Sequence, residues 1–213
     1  MQPLQLICNQ DNERNTALAS QRILDDARAY ATESMLNGKP LDNTLKTITQ
    51  CLEAILGSCH CQVLLFDNKK SVFRSLNKSN VQHSRFINNV IKYLLNNPMS
   101  DFNKDLKQGI HTIVPDIYSC KAWQTLHIEA KELGIVANWF IPIISEDGSV
   151  SGVFSALFNT VRNADTGELL LLQRASQSAC ALLFHSKNKA KELQQRVTLH
   201  KEYVVPRWVM SVS

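Results

Sequence analysis

The sequence predicts an α+β fold, with helices packed on an antiparallel sheet. Three observations predict it. The segments run helix, strand, strand, helix, strand, helix, hairpin, long helix, an order that suits segregated helices on an antiparallel sheet. Leu41, Leu45, Ile48, Leu52 and Ile55 step 4-3-4-3, a single apolar stripe that has to pack on something. The stretch GIVANWFIPIISEDGSVSGVFSALFN, from Gly134 to Asn159, sets two apolar runs either side of S-E-D-G-S. Its Asp-Gly pair is a strong hairpin signal.

Each element follows from local pattern. Residues from about Glu13 to Leu36 form a helix, with Leu24, Ala27, Ala31 and Met35 spaced by three and four. Gly38 and Pro40 break it, and the second helix ends at Gly57. Gln62 to Asp67 and Ser71 to Leu76 read as strands joined across N-K-K. A helix from about Val81 to Asn96 turns Phe86, Val90, Ile91, Leu94 and Leu95 inward, and 97–110 is loop-like. The short strand HTIV leads through Pro115-Asp116 to a helix from about Ile117 to Leu133. The hairpin strands are Val136 to Ile144 and Val150 to Asn159. Pro142 removes a ladder donor, which places it at an edge or a bulge. From about Asp165 to Tyr203 one long helix is apolar nearly all round up to Phe184. It then narrows to a seam of Leu183, Ala190, Leu193, Val197, His200 and Val204. Such a seam suits a two-helix contact with a second copy, or a helix folding back on its own domain.

Composition sets outer limits. The chain has 213 residues, 44% apolar and 20% charged, which is ordinary for a globular chain. One domain with extra helices is expected, burying roughly 70% of its unfolded surface. A net charge of +4 without a basic block argues against nucleic acid. No apolar run reaches membrane-spanning length and no targeting signal opens the chain, so a cytoplasmic protein is expected. The six cysteines (Cys8, Cys51, Cys59, Cys61, Cys120, Cys180) are scattered and suit reduced thiols better than a disulfide framework.

Two blocks of text carry a family resemblance. LDNTLKTITQCLEAILGSCHCQVLLFD resembles the opening helix and first strand of a GAF domain. VPDIYSCKAWQTLHIEAKELGIVANWFIPIISEDGSVSGVFSALF resembles the version common in bacterial sensor proteins, where V-x-D-I precedes a Trp, then G-I/L-x-A-C-W-S-x-P-I and D-G-x-V-L-G-T-F. The resemblance implies a GAF-like antiparallel sheet of five to six strands flanked by helices, with long N- and C-terminal helices. It divides the chain into a disordered or short lead-in (1–12), an N-terminal connecting helix (13–40), the domain (41–188), and a C-terminal connecting helix and tail (189–213), in which Arg207 to Ser213 are unexplained. Gly148, Gly152 and Pro142 match the pattern. Asn138-Trp139-Phe140 replaces Cys-Trp-Ser, Ser151-Gly152-Val153-Phe154 replaces Leu-Gly-Thr-Phe, and no Pro precedes Trp123.

The candidate ligand pocket comprises Asp116, Tyr118, Trp123, Trp139 and Phe140, lying between the sheet and Val81 to Leu133. It offers aromatic walls with a few polar groups. A competing structural reading makes Trp139 core and Asp116 the cap of the helix at Ile117. In S-C-H-C (Ser58 to Cys61), Cys59 and Cys61 face one way and His60 the other, and three ligands do not complete a zinc site. His83, His111 and His127 are available to haem, which some sensor GAF domains bind. Neither haem nor bilin is favoured, no cofactor is required, and no metal or catalytic residue is assigned. Cyclic-nucleotide determinants are reduced to Asn159. Some GAF proteins reduce free methionine sulfoxide with pocket cysteines; Cys120, beside Lys121, is the available thiol, but the loop signature is missing. The reading is a regulatory, non-enzymatic sensory domain of bacterial type that binds a small ligand. It would pair as a homodimer through its terminal helices and act on an output domain or partner outside this chain. The rival is a ligand-free interaction module, favoured by the bulk of Phe140.

Overall fold

The computed structural model describes residues 3–67, 72–76, 81–96 and 101–203. Five strands form one antiparallel sheet: β1 (Cys59–Asp67), β2 (Val72–Ser75), β3 (Thr112–Val114), β4 (Ala137–Ile144) and β5 (Val150–Phe158), in the order β2-β1-β5-β4-β3. The helices α1 (Pro3–Leu36), α2 (Leu41–Leu56) and α6 (Thr166–Tyr203) cover one face. The other face carries α3 (Val81–Asn96), α4 (Phe102–Lys107), a 3-10 helix (Lys121–Leu126) and α5 (His127–Glu132).

Strand alternation divides the core in two. Ala137, Trp139, Ile141 and Ile143 of β4 point to the α2/α6 face, beside Leu45, Ile48 and Leu52 of the expected α2 stripe. Phe140 points the other way, into a layer built with Phe86, Ile87 and Val90 of α3 and with Trp123. Leu24, Ala31 and Met35 of α1 share the α2/α6 core, so this helix packs on the domain. Gly57 closes α2 by donating its N–H to Glu53 O at 2.9 Å.

The hairpin between β4 and β5 has the expected turn. Gly148, at φ 78°, takes the left-handed conformation, and its N–H bonds Ser145 O at 2.9 Å. Asp147 supports the turn by accepting from the Ser149 N–H at 3.0 Å. Pro142 occupies the position its chemistry demands. It pairs with Val153 on β5, whereas β3 stops opposite Phe140, so the other side of β4 is free there. Ser176 of α6 donates to Pro142 O at 2.6 Å, and the ladder is irregular between Ile143 and Ile144.

Several expectations are corrected. The first helix begins at Pro3, not near Glu13, so the proposed lead-in 1–12 is helical from its third residue. A proline is tolerated in a first turn, and the polar residues that follow hold no breaker. Residues 97–110 are not all loop, because α4 buries Phe102 and Leu106. The single helix over Ile117 to Leu133 is instead a turn, a 3-10 helix and α5. The Asp116 carboxylate accepts the Tyr118 N–H at 2.9 Å, as a cap would, but the next bond is the turn from Cys120 N–H to Ile117 O at 3.3 Å, and the helical bonding begins only afterwards. In α6, Phe184 is 52% exposed, so its apolar residues are not buried all round. The N-K-K turn and Arg207 to Ser213 lie outside the described residues.

Gly152 marks the tightest approach between the two central strands. A Cβ there would sit 2.4 Å from Leu64 O, a backbone atom with no freedom to move aside. Gly152→Ala is expected to cost about 1–3 kcal/mol, read as a lowered urea midpoint with an unchanged slope.

Candidate functional site

The most unusual feature of the core is a polar patch inside the α3-facing layer. Two residue rows cross three neighbouring strands in register: His60, Leu157 and Asn138, then Gln62, Ser155 and Phe140. Four of the six are polar, and Gln62, Asn138 and Ser155 have no exposed surface. At ordinary strand spacing the patch is roughly 10 Å across.

Its hydrogen bonding is incomplete. Ser155 Oγ donates to Asn138 Oδ1 at 3.1 Å, and Gln62 Nε2 reaches the carbonyl of His83 on α3 at 3.5 Å. Among the described residues, Gln62 Oε1, Asn138 Nδ2 and His60 Nε2 are buried without a protein partner. Each such group costs about 1–3 kcal/mol when left unmet. One unmet acceptor and one unmet amide donor therefore stand on the same sheet face.

The patch ends at the half-buried start of β1. β2 pairs with β1 only from Leu64 to Asp67, so among the described residues no strand lies beside the first residues of β1 on that side. Glu53 of α2 substitutes for one. Its Oε1 accepts the Cys61 N–H at 2.8 Å and lies 3.0 Å from His60 Nδ1. The His60 ring packs 4.8 Å from that of His83. Burial, followed by the charge of His60, pushes the His83 pKa below its ordinary value.

The five residues expected to line one pocket do not converge. Trp123 and Phe140 do share the α3-side layer, with ring centres 6.2 Å apart, and Phe102 meets Phe140 edge-on at 5.0 Å. Trp139 is on the opposite face, 4.3 Å from the Phe158 ring, and its Nε1 donates to Arg162 O at 3.2 Å. The correction is the period of a strand: adjacent residues cannot face the same pocket. Asp116 holds the turn after β3. Tyr118 is 38% exposed and donates its hydroxyl to Ile135 O at 3.0 Å, so it braces the 3-10 segment from outside. Its pKa is raised by burial and then by Asp116. His127 Nε2 lies 2.9 Å from Ile117 O, committed to the same segment.

Sequence reasoning overlooked Gln62, Asn138 and Ser155 as site residues and weighed His60 only as a metal ligand. The signal was a polar residue at an inward position of each central strand: Q-V-L-L-F, N-W-F-I and F-S-A-L-F. Among the described residues no group of three or more His, Cys, Asp or Glu side chains is arranged to hold a metal ion. Among them, too, no helix is long and apolar enough to cross a membrane.

No protein-family model matches the sequence, and no curated protein matches it. Solved structures do match. The GAF domain of a phosphoenolpyruvate-protein phosphotransferase from Coxiella burnetii superposes with a TM-score of 0.60 at 16% identity, covering 82% of this chain and 98% of that one. The GAF domain of a putative sensor histidine kinase from Pseudomonas syringae gives 0.57 at 12% identity, over 89% of this chain and 99% of that one. Free methionine-R-sulfoxide reductase from Neisseria meningitidis, in complex with its substrate, also gives 0.57 at 12%, over 81% and 93%. The chain has the GAF fold, the fold of domains from bacterial sensor kinases and phosphotransferases.

Trp139→Ala is expected to cost about 3–5 kcal/mol as a core truncation, read as a lowered urea midpoint. A second expectation concerns acid. A histidine whose folded pKa is depressed contributes stability that is present above its unfolded value, about 6.5. That stability is lost as pH falls through the folded value, because the unfolded chain then binds more protons. Urea midpoints measured between about pH 8 and pH 5 should therefore fall, and His83→Gln should flatten the fall.

Proposed function

We propose that this chain is a regulatory, non-enzymatic sensory domain whose small ligand sits on the patch of His60, Gln62, Ser155 and Asn138. The observation that carries the reading is the pair of wholly buried amides, Gln62 and Asn138, each with an atom lacking a protein partner. A core that merely packs would satisfy them or replace them with apolar groups. A ligand that offers a donor to Gln62 Oε1 and an acceptor to Asn138 Nδ2 completes both. No lysine or arginine is among the residues of the patch, so it suits an uncharged, planar polar molecule rather than a phosphate.

The signal leaves through the long terminal helices. α6 is bonded to β4 through Ser176 and begins beside β5, so a ligand that alters the sheet changes the seat of α6 by its differential affinity for the two states. Leu193 and Val197 on α6 are each 55% exposed, and Leu18 and Ile23 on α1 are 57% and 52% exposed. These residues support pairing with a second copy, with an output domain or partner protein acted on in turn. The sulfoxide reductase relative supports one enzymatic alternative, in which Cys120, partly buried, is the reacting thiol. Unchanged turnover of free methionine sulfoxide in Cys120→Ser would remove it.

Native mass spectrometry of the purified chain tests the main reading. The expected result is a dimer with an extra non-covalent mass, lost in the Gln62→Met, Asn138→Leu double variant. That variant should keep or raise the melting temperature, since both unmet amides are gone. A chain free of added mass, with a double variant that melts lower, overturns the reading in favour of a ligand-free interaction module filled by Phe140 and Trp123.

A further inference from the structure

On the opposite side of β1, the fold brings two nucleophiles together. Cys59 and Cys61 are two residues apart on one strand and point to the α6 face, where their Sγ atoms lie 3.8 Å apart. Cys59 is partly exposed and Cys61 is buried. The hydrogen bond from Cys61 lowers the Cys59 pKa, and the Arg162 charge adds to this against burial, Glu53 and Glu168. Cys61 is raised well above its ordinary value, first by that same bond and then by burial. One sulfur is therefore poised as the thiolate and the other as its proton-bearing neighbour.

We propose that Cys59 and Cys61 form a peroxide-oxidisable dithiol that controls the seat of α6. The Cys59 thiolate attacks one peroxide oxygen: an S–O bond forms, the O–O bond breaks, and hydroxide leaves to take up the proton that Cys59 released. Cys61 sulfur then attacks the sulfenic sulfur. The S–S bond forms, the S–O bond breaks, and the departing hydroxide takes the Cys61 proton. Two thiols are oxidised, one peroxide is reduced, and two waters result.

The surroundings suit this step. Closing the bond draws the sulfurs from 3.8 Å to about 2 Å, which a regular strand resists at this spacing. The start of β1 is not held as a regular strand on both sides. β2 does not reach it, and the Cys61 N–H is bonded by the Glu53 side chain. Gly57 and Ser58 immediately before it have φ of 63° and 43°, a left-handed conformation that is uncommon for a residue with a side chain such as Ser58. The same spot anchors α6. Arg162 donates to Leu56 O at 2.8 Å and pairs with Glu168 in the first turn of α6, so a displaced Cys59 disturbs the contacts that seat that helix.

The test is a peroxide titration of the reduced chain, followed by differential alkylation and fragment-ion mapping. Cys59 and Cys61 are expected to become protected together, with loss of two hydrogens, and to be restored by dithiothreitol while Cys120 and Cys180 stay alkylatable. In Cys61→Ala the sulfenic acid should persist on Cys59 and be captured by dimedone. Amide exchange over residues 165–172 should quicken on oxidation. Three results overturn the dithiol: both thiols still alkylatable when Cys120 or Cys180 has reacted, sulfinic acid on Cys59 without a bond to Cys61, or no dimedone adduct in Cys61→Ala. A disulfide that leaves exchange in α6 unchanged overturns its control of that helix. Each of these outcomes can be read whether or not a ligand occupies the other face.

Discussion

The α6 side of the domain depends on one guanidinium. Arg162 follows β5, and its Nη1 donates to Leu56 O at 2.8 Å, the carbonyl end of α2. Its other nitrogen pairs with Glu168 in the first turn of α6. The cation thus sits at the negative end of one helix and fixes an anion at the positive end of another. The ring faces of Phe158 and Trp139 lie 4.7 and 5.5 Å from its carbon, which shields the pair from water on that side. Its backbone is also committed: the N–H bonds Pro115 O at 3.0 Å, and the carbonyl accepts from the Trp139 indole at 3.2 Å. Glu168 in turn completes a capping box with Asp165, whose carboxylate accepts the Glu168 N–H at 2.8 Å. Through one side chain, α2, β4, β5 and α6 are held in register.

Much of this architecture was legible in the sequence, and the boundary of legibility has physical causes. α2 was readable because only one face is buried, so its stripe is clean. The β4–β5 hairpin was readable because Asp147 and Gly148 impose a turn whatever the strands do. Pro142 signalled an edge position through its missing donor, and the short β3 provides it. By contrast, α4 is six residues long and, among those described, buries Phe102 and Leu106, too few for a period to show. The segment from Ile117 onward has helix-forming residues, yet the Asp116 side chain and the burial of Trp123 divert it into a turn and a 3-10 helix. Tertiary contact overrides propensity there.

The site was harder to read for a related reason. Both faces of the sheet are covered, so from Ala137 to Ile143 every residue of β4 is buried and polarity does not alternate. Trp139 and Phe140 look alike in such a run although they serve different cores. The information lay in the exceptions. Asn138, Ser155 and Gln62 are buried polar residues among apolar neighbours, and only the register shows that they adjoin. Aromatic residues drew the eye because pockets favour them, but here Trp123 and Phe140 pack on one another and on Phe102 as a core does.

The first four residues of β1 join these observations. Cys59 and Cys61 face α6 and the Arg162 clasp, while His60 and Gln62 face α3 and the polar patch. The same short stretch therefore contributes to both surfaces, and it is the part of the strand held by a side chain, Glu53, in place of β2. A ligand that draws Gln62 and His60 toward α3 would move Cys61 between them and Cys59 next to His60, and a bond between the thiols would shorten the strand on which Gln62 sits. Thermodynamic linkage makes that influence reciprocal: if oxidation weakens ligand binding, bound ligand makes the dithiol harder to oxidise by the same factor. Such coupling is commonly worth about 1–3 kcal/mol, comparable with the cost of one unmet buried amide. A domain built this way would integrate two inputs through a single strand end, and α6 would report their sum.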